Sequence, residues 1–245
     1  MKDFIIYLQS RNPTPPEEKK YSLEEIKKLP FSSSLEELKY VKEGELTFIR
    51  ETKYLNIFNF YCVFQLPRPK AAESVEYTKM NIELYQQKEG NIVISFDAPK
   101  KLSKIAAAFL SYVTFGDFFS IKEIHLERSN FLKLKNFVLT GGGSLRQLIF
   151  SNSRSKEGEA NINQFRLSGR DLEKIPEFSE LLNRFSKIRL LGFSFKSANC
   201  RDILFRVIEW GGGQFYSPVD PLDHEIGEFL NLFNHILTPE EGTKK

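Results

Sequence analysis

The sequence predicts an α+β protein with two domains of antiparallel sheet, each with helices packed on one face. Three observations carry this expectation. Short runs alternate apolar and polar residues at a period of two, as at Met80, Ile82 and Leu84 or Ile92, Ile94 and Phe96, which marks half-buried strands. Other stretches carry apolar residues at helical spacing, with Leu102, Ile105, Ala106, Phe109 and Val113 on one stripe. The order strand, helix, strand, strand, strand runs from Asn161 to Ser217 and is repeated from Phe4 to Leu66, so the chain reads as an assembly of related units. The domain boundary is expected near Gly116, giving domains 1–115 and 116–245.

The first domain opens with an apolar strand, Phe4 to Gln9, and a loop from Arg11 to Lys20 that holds three prolines. Ser22-Leu-Glu-Glu25 has the spacing of a capping box, and Leu23, Ile26 and Leu29 stripe a short helix that Pro30 stops. An antiparallel meander follows. Leu46 and Phe48 alternate with polar neighbours, and Leu55 to Leu66 is apolar on both phases, as in a central strand covered on both faces. Asp97 is placed to serve the free amides of the next helix and Pro99 fits its first turn, while Gly116 ends it.

In the second domain a strand is expected at Phe119 to Leu126 and a helix at Asn130 to Leu139, terminated by Gly141 to Gly143. Leu145 to Phe150 is a strand, and the Ser- and charge-rich segment Ser151 to Glu159 is an exposed loop. Phe165 and Leu167 end the next strand. Leu172, Ile175, Phe178, Leu181, Leu182 and Phe185 then stripe a helix. The apolar phase of Ile188 to Phe195 slips between Leu190 and Leu191, beside Gly192, as a β-bulge produces. Ile203 to Trp210 and Gln214 to Tyr216 form a hairpin closed by Gly211, Gly212 and Gly213, and Leu222, Ile226, Phe229, Leu230 and Phe233 stripe a closing helix. The tail after Pro239 is expected to fray.

Composition narrows the function classes. With 41% apolar and 27% charged residues the chain belongs with soluble globular proteins, and 23 Phe against one Trp predict a core packed on phenylalanine. No apolar run approaches the roughly 20 residues needed to cross a bilayer, and the first residues do not read as a signal peptide, so a cytoplasmic location is expected. Cys62 and Cys200 are too few for a disulfide framework or a zinc site and read as two unpaired thiols. The Lys and Glu bias resembles that of thermophile proteins. The net charge of +3 is unevenly spread, with ten basic against six acidic residues from Ser144 to Lys196 and six acidic against two basic from Ser217 onward. A basic middle suits a polyanion, although ordinary solvated faces give the same pattern.

No motif dictates a reaction, so the protein is expected not to be an enzyme and to need no cofactor. Asp220, Asp223, His224 and Glu228 form the one acidic and histidine cluster, with His224 and Glu228 four residues apart on a helix. Helix capping accounts for the same residues, with Asp220 as cap, Pro221 in the first position and Asp223 at the positive end of the dipole, and no metal is assigned. Neither glycine triplet stands between a strand and a following helix, the order a phosphate cradle requires, so turns explain both. His125 and His235 have no nucleophile near them in sequence. The pattern with functional reach is basic: Lys100, Lys101 and Lys104 off the apolar stripe of one helix, and Arg170, Lys174 and Arg184 on or beside another, where Glu173, Glu177 and Glu180 offer i,i+4 pairs.

Two halves of near-equal length, strand–helix–strand–strand–strand units and basic helix faces together resemble a subunit of the DNA sliding clamp superfamily. The resemblance lies in element order over most of the chain and in no specific motif. It implies clamp-like units whose helices line a hole around duplex DNA, with Lys100, Lys101, Lys104, Arg170 and Lys174 as nucleic-acid-binding residues by their place on helices. The chain departs from that family in its basic charge, its closing helix and the short helix between its halves. The expected function is a non-enzymatic clamp-like scaffold for nucleic acid or protein partners. The alternatives are a protein–protein interaction module, or a metal-dependent hydrolase or nuclease at Asp220, Asp223, His224 and Glu228.

Overall fold

The structure, a computed structural model, describes residues 1–14, 20–27, 36–65, 76–151, 164–184, 187–198, 201–216 and 220–237. Cys200, the tail after Pro239 and nearly all of the loop expected at Ser151 to Glu159 lie outside the described residues. The fold is α+β and its sheets are antiparallel. The chain packs as two compact units, Phe4–Glu123 and Ile124–Lys245, the second also taking in Met1–Asp3.

The N-terminal unit contains β1 (Lys2–Gln9), β2 (Lys20–Ser22), α1 (Leu23–Lys27), a 3-10 turn at Glu36–Tyr40, β3 (Val41–Glu51), β4 (Leu55–Gln65), β5 (Tyr77–Gln87), β6 (Ile92–Phe96), α2 (Lys100–Phe115) and β7 (Ile121–Glu123). Its sheet runs in the order β2-β3-β4-β5-β6-β1, and β7 also pairs with β1 through Leu8 and Lys122. The apolar run at Leu55 does form an interior strand. It pairs along its whole length with β5, from Leu55 opposite Gln87 to Gln65 opposite Tyr77, and Phe58, Phe60 and Cys62 are fully buried. Burial pushes the Cys62 thiol up to about 11, so it stays protonated at neutral pH.

Helix α2 lies on this sheet, with the Phe60 and Phe109 rings edge to face at 5.7 Å. On the neighbouring strand Gly44 leaves room for Leu23 of α1 against the same Phe60 ring. Ser22 begins α1 as a cap, its hydroxyl accepting from the Glu24 amide at 3.3 Å. Polar groups under α2 pair with one another, as burial requires. Ser103 is bonded to the Tyr7 hydroxyl at 2.6 Å and to Ser95, and burial holds the Tyr7 phenol well above its ordinary range. Gly116 ends the helix in the left-handed region at φ 75°, its amide donating to the Tyr112 carbonyl. At the other end Pro99 is the cap, one position before the first turn in which the sequence placed it, and the Leu102 and Ser103 amides donate to its carbonyl.

The C-terminal unit contains α3 (Arg128–Thr140), β8 (Ser144–Ser151), β9 (Gln164–Ser168), a 3-10 turn at Leu172–Lys174, α4 (Phe178–Arg184), β10 (Lys187–Lys196), β11 (Asp202–Ile208), β12 (Gly212–Phe215) and α5 (Asp223–Leu237). Its strands run β12-β11-β10-β8-β9, and α3 and α5 pack against each other and the sheet. Phenylalanine fills the core, as composition implied: Phe229 of α5 stands 4.8 Å from both Phe205 and Phe215, and eleven of the twelve largest fully buried side chains among the described residues are Phe.

Four local expectations need correction here. The helix expected from Leu172 to Phe185 is broken into a 3-10 turn and the short α4, because Pro176 has no amide to donate. The strand expected from Phe119 to Leu126 shrinks to Ile121–Glu123. Asp117 bends the chain before it by accepting from the Phe119 and Ser120 amides, both at 2.7 Å. Neither Asp220 nor Pro221 opens α5, which starts at Asp223; Glu225 caps it by reaching back to the Leu222 amide at 2.9 Å. The register is unbroken between Leu190 and Leu191, where the slip was expected; the irregularities lie on either side, one leaving Arg189 extra on β10 and one leaving Arg146 extra on β8 opposite Gly192 and Phe193.

Candidate nucleic-acid interface

Along β11, Phe205 and Val207 are buried, so alternation turns Arg206 to the opposite face of the sheet. Register carries a row of residues across that face, Ser168 opposite Gln147, Gln147 opposite Gly192, Gly192 opposite Arg206 and Arg206 opposite Gln214. The bulge in β8 lets Arg146 and Gln147, consecutive in sequence, both line the same cleft. Gly192 stands mid-row with no side chain, and a Cβ there would press on the Gln147 Cβ at 3.0 Å.

The result is a cleft of about 660 Å³ lined by Arg146, Arg166, Arg170 and Arg206, with Tyr216 at its side and Asp202 as its one acidic lining residue. The arginines are held by neutral partners. With its amide oxygen turned to the guanidinium, Gln147 accepts from Arg166 Nε at 3.0 Å and Nη2 at 2.7 Å. Arg146 Nε donates to Ser194 Oγ at 3.3 Å, and the Arg206 guanidinium lies over the Tyr216 ring, 5.2 Å from its centroid. Partial burial raises the Tyr216 phenol above its ordinary value, against the opposing pull of Arg206 and Arg166. Among the described residues none of the four guanidinium groups has a carboxylate within ion-pair distance.

The residues singled out from sequence are differently placed. Arg170 lines the cleft, on the bend before the 3-10 turn and not on a helix. Lys174 lies in that turn, 3.2 Å from Asp171, whose carboxyl this partner holds below the usual range. Lys100, Lys101 and Lys104 belong to the N-terminal unit. Lys100 is 3.4 Å from Glu123, Lys101 lies 5.8 Å from the Tyr40 ring centroid, and Lys104 is half-buried beside a hollow of about 190 Å³. Arg146, Arg166, Arg206 and Tyr216 were missed. Part of their signal was present: Arg166 and Arg206 each interrupt an apolar alternation, in Phe165-Arg-Leu167 and Phe205-Arg-Val207, and so had to face away from the core, whereas Arg146 sits in Leu145-Arg-Gln-Leu148, where the bulge breaks the alternation.

Other candidate sites resolve into structure. Gly142 and Gly211 turn the chain with φ of 76° and 78°, as expected of the two triplets. Glu228 accepts from the Ala198 amide with both carboxylate oxygens, at 3.1 and 3.3 Å, and among the described residues no three His, Cys, Asp or Glu side chains gather as a metal site. His235 is exposed and stacks on Phe137 at 5.2 Å. Among the described residues no helix is long and apolar enough to cross a membrane. No protein-family model matches the sequence, and no curated protein matches it.

Proposed function

We propose that this protein is a non-enzymatic scaffold that holds nucleic acid by its phosphate backbone, and that the arginine cleft of the C-terminal unit does the holding. The observation that carries the reading is four guanidinium groups around one cleft whose one described acidic lining residue is Asp202, with no described carboxylate within ion-pair distance of any of the four. A planar guanidinium presents paired donors that match phosphate oxygens, and its charge persists at every physiological pH. Contacts of this kind position a backbone without reading its sequence. The strand–helix–strand–strand–strand order, similar to that of clamp subunits, supports the scaffold half of the proposal.

The test is equilibrium binding of labelled oligonucleotides at about 50 mM salt, where phosphate contacts are strong. Binding is expected to fall steeply as salt rises, and Arg146→Glu with Arg166→Glu to weaken it by about tenfold or more and flatten its salt dependence. Absence of binding to every nucleic acid at that salt sinks the reading.

A protein-interaction role has its own support in the N-terminal unit. Tyr40 and Tyr77 are exposed, with Lys101 and Lys42 respectively over their rings, an aromatic and basic surface suited to an acidic protein partner. A defined partner whose capture survives nuclease treatment would favour it.

A further inference from the structure

Resting on the nucleic-acid reading above, we infer that the cleft takes a short stretch of single strand, with a base seated on the Arg206–Tyr216 pair and the flanking phosphates on Arg146, Arg166 and Arg170. Two features of the cleft point away from a duplex. Its volume of about 660 Å³ is that of a site for a small molecule, room for a few nucleotides. The phosphates of a duplex are instead met along an extended surface that follows its outer wall.

The second feature is the stacked pair itself. Tyr216 and Arg206 bring an aromatic ring and a guanidinium plane together at 5.2 Å, and these are the two flat surfaces on which unpaired bases stack. In a duplex the faces of the bases are covered by their neighbours, so such a platform has nothing to receive. Arg166 is fixed by Gln147 through two nitrogens, so its remaining donors are presented with little freedom to lose.

The experiment compares a fluorescent ten-nucleotide homopolymer with a blunt duplex of the same length, on the full chain at about 50 mM salt. The single strand is expected to bind at least tenfold tighter. Tyr216→Leu should cost about tenfold on the single strand and leave duplex binding unchanged, whereas Tyr216→Phe, which keeps the ring, should bind as the natural protein does. A nucleoside monophosphate at millimolar concentration should not displace the strand. Equal binding of duplex and single strand, both lost in Arg146→Glu with Arg166→Glu, overturns the single-strand inference and leaves the proposed function standing. Displacement by the monophosphate at micromolar concentration overturns it too, by making the cleft a site for a free nucleotide. Binding of neither form overturns the proposed function itself.

Discussion

The Arg201 guanidinium stands 3.2 Å from Glu225, a carboxylate with 1% of its surface exposed, and the oxygen it meets also accepts from the Leu222 amide. The other oxygen, Oε1, is buried and has no hydrogen-bond partner among the described residues. One side chain thus caps α5 and sets a charge in the interior that depends on Arg201. Removing the partner of a buried charge costs more than the pair contributes, because the remaining charge stays desolvated. Arg201→Ala should therefore lower stability by roughly 2–3 kcal/mol, a little under the cost of breaking a fully enclosed pair. Adding Glu225→Gln keeps an oxygen for the cap and removes the stranded charge, so the double variant should recover more than half of the loss. Urea unfolding of both variants decides it, and equal instability of the two would rule out the charge as the cause.

Gly116 caps the end of α2, and Gly143 follows the end of α3 with its amide donating to the Val138 carbonyl; each needs glycine for a different reason. At Gly116 a Cβ meets nothing within 4 Å, but φ is 75°. Gly116→Ala should cost about 1 kcal/mol, the strain of a left-handed alanine. At Gly143 a Cβ collides with the Ser194 carbonyl oxygen and the Val138 side chain, where α3 turns into β8 beside β10. Backbone cannot move aside as a flexible side chain can. Gly143→Ala should cost at least about 2–3 kcal/mol, so the two variants should differ clearly in Tm.

Asp117 gives the fold an acid-sensitive bend. Partial burial pushes its carboxyl up, but the Ser120 hydroxyl, the Phe119 and Ser120 amides and the Arg11 charge together hold it below the ordinary value. A carboxyl depressed in the folded state contributes stability above its unfolded value, near 3.9, and loses it as pH falls through the folded value. At pH 7, Asp117→Asn should be less stable by about 1 kcal/mol, having lost charge-assisted hydrogen bonds. The difference should close between about pH 5 and pH 2, as the natural carboxyl itself takes up a proton. Thermal melts across that range test it; a constant difference would mean that the charge contributes nothing.

The strands were legible because their apolar residues alternate against polar ones, and no other arrangement buries Leu46 and Ile82 while leaving Glu45, Thr47, Asn81 and Glu83 in contact with water. The helix after Asp171 was misread because its stripe of Leu172, Ile175 and Phe178 is helical in period, and period alone does not register that Pro176 lacks a donor. The α5 cap was misplaced for a related reason: Asp220 and Glu225 are both suitable acids, and only the three-dimensional start of the helix selects between them. Arg146, Arg166 and Arg206 share a cleft because a bulge and the strand register bring three separate strands into line. Residues 146, 166 and 206 are far apart in the chain, and nothing local to each one reports the others.

Helix lysines and sheet arginines can be separated by charge removal. Lys100 already has Glu123 at 3.4 Å and Lys101 is engaged with the Tyr40 ring, so each has something to give up before meeting a phosphate. The hydrogen-bond and ring partners of Arg146, Arg166 and Arg206 are neutral, and among the described residues the cleft arginines have no ion pair to give up on binding. Replacing Lys100, Lys101 and Lys104 together by alanine, a good helix former, should preserve α2 and weaken oligonucleotide binding by no more than about twofold to threefold. Arg146→Ala with Arg166→Ala should weaken it by about tenfold or more and reduce the slope of log affinity against log salt by about 1–2. A triple lysine variant with the larger loss, beside an arginine pair that binds normally, would place the phosphate contacts on α2 and leave the cleft without a nucleic-acid role.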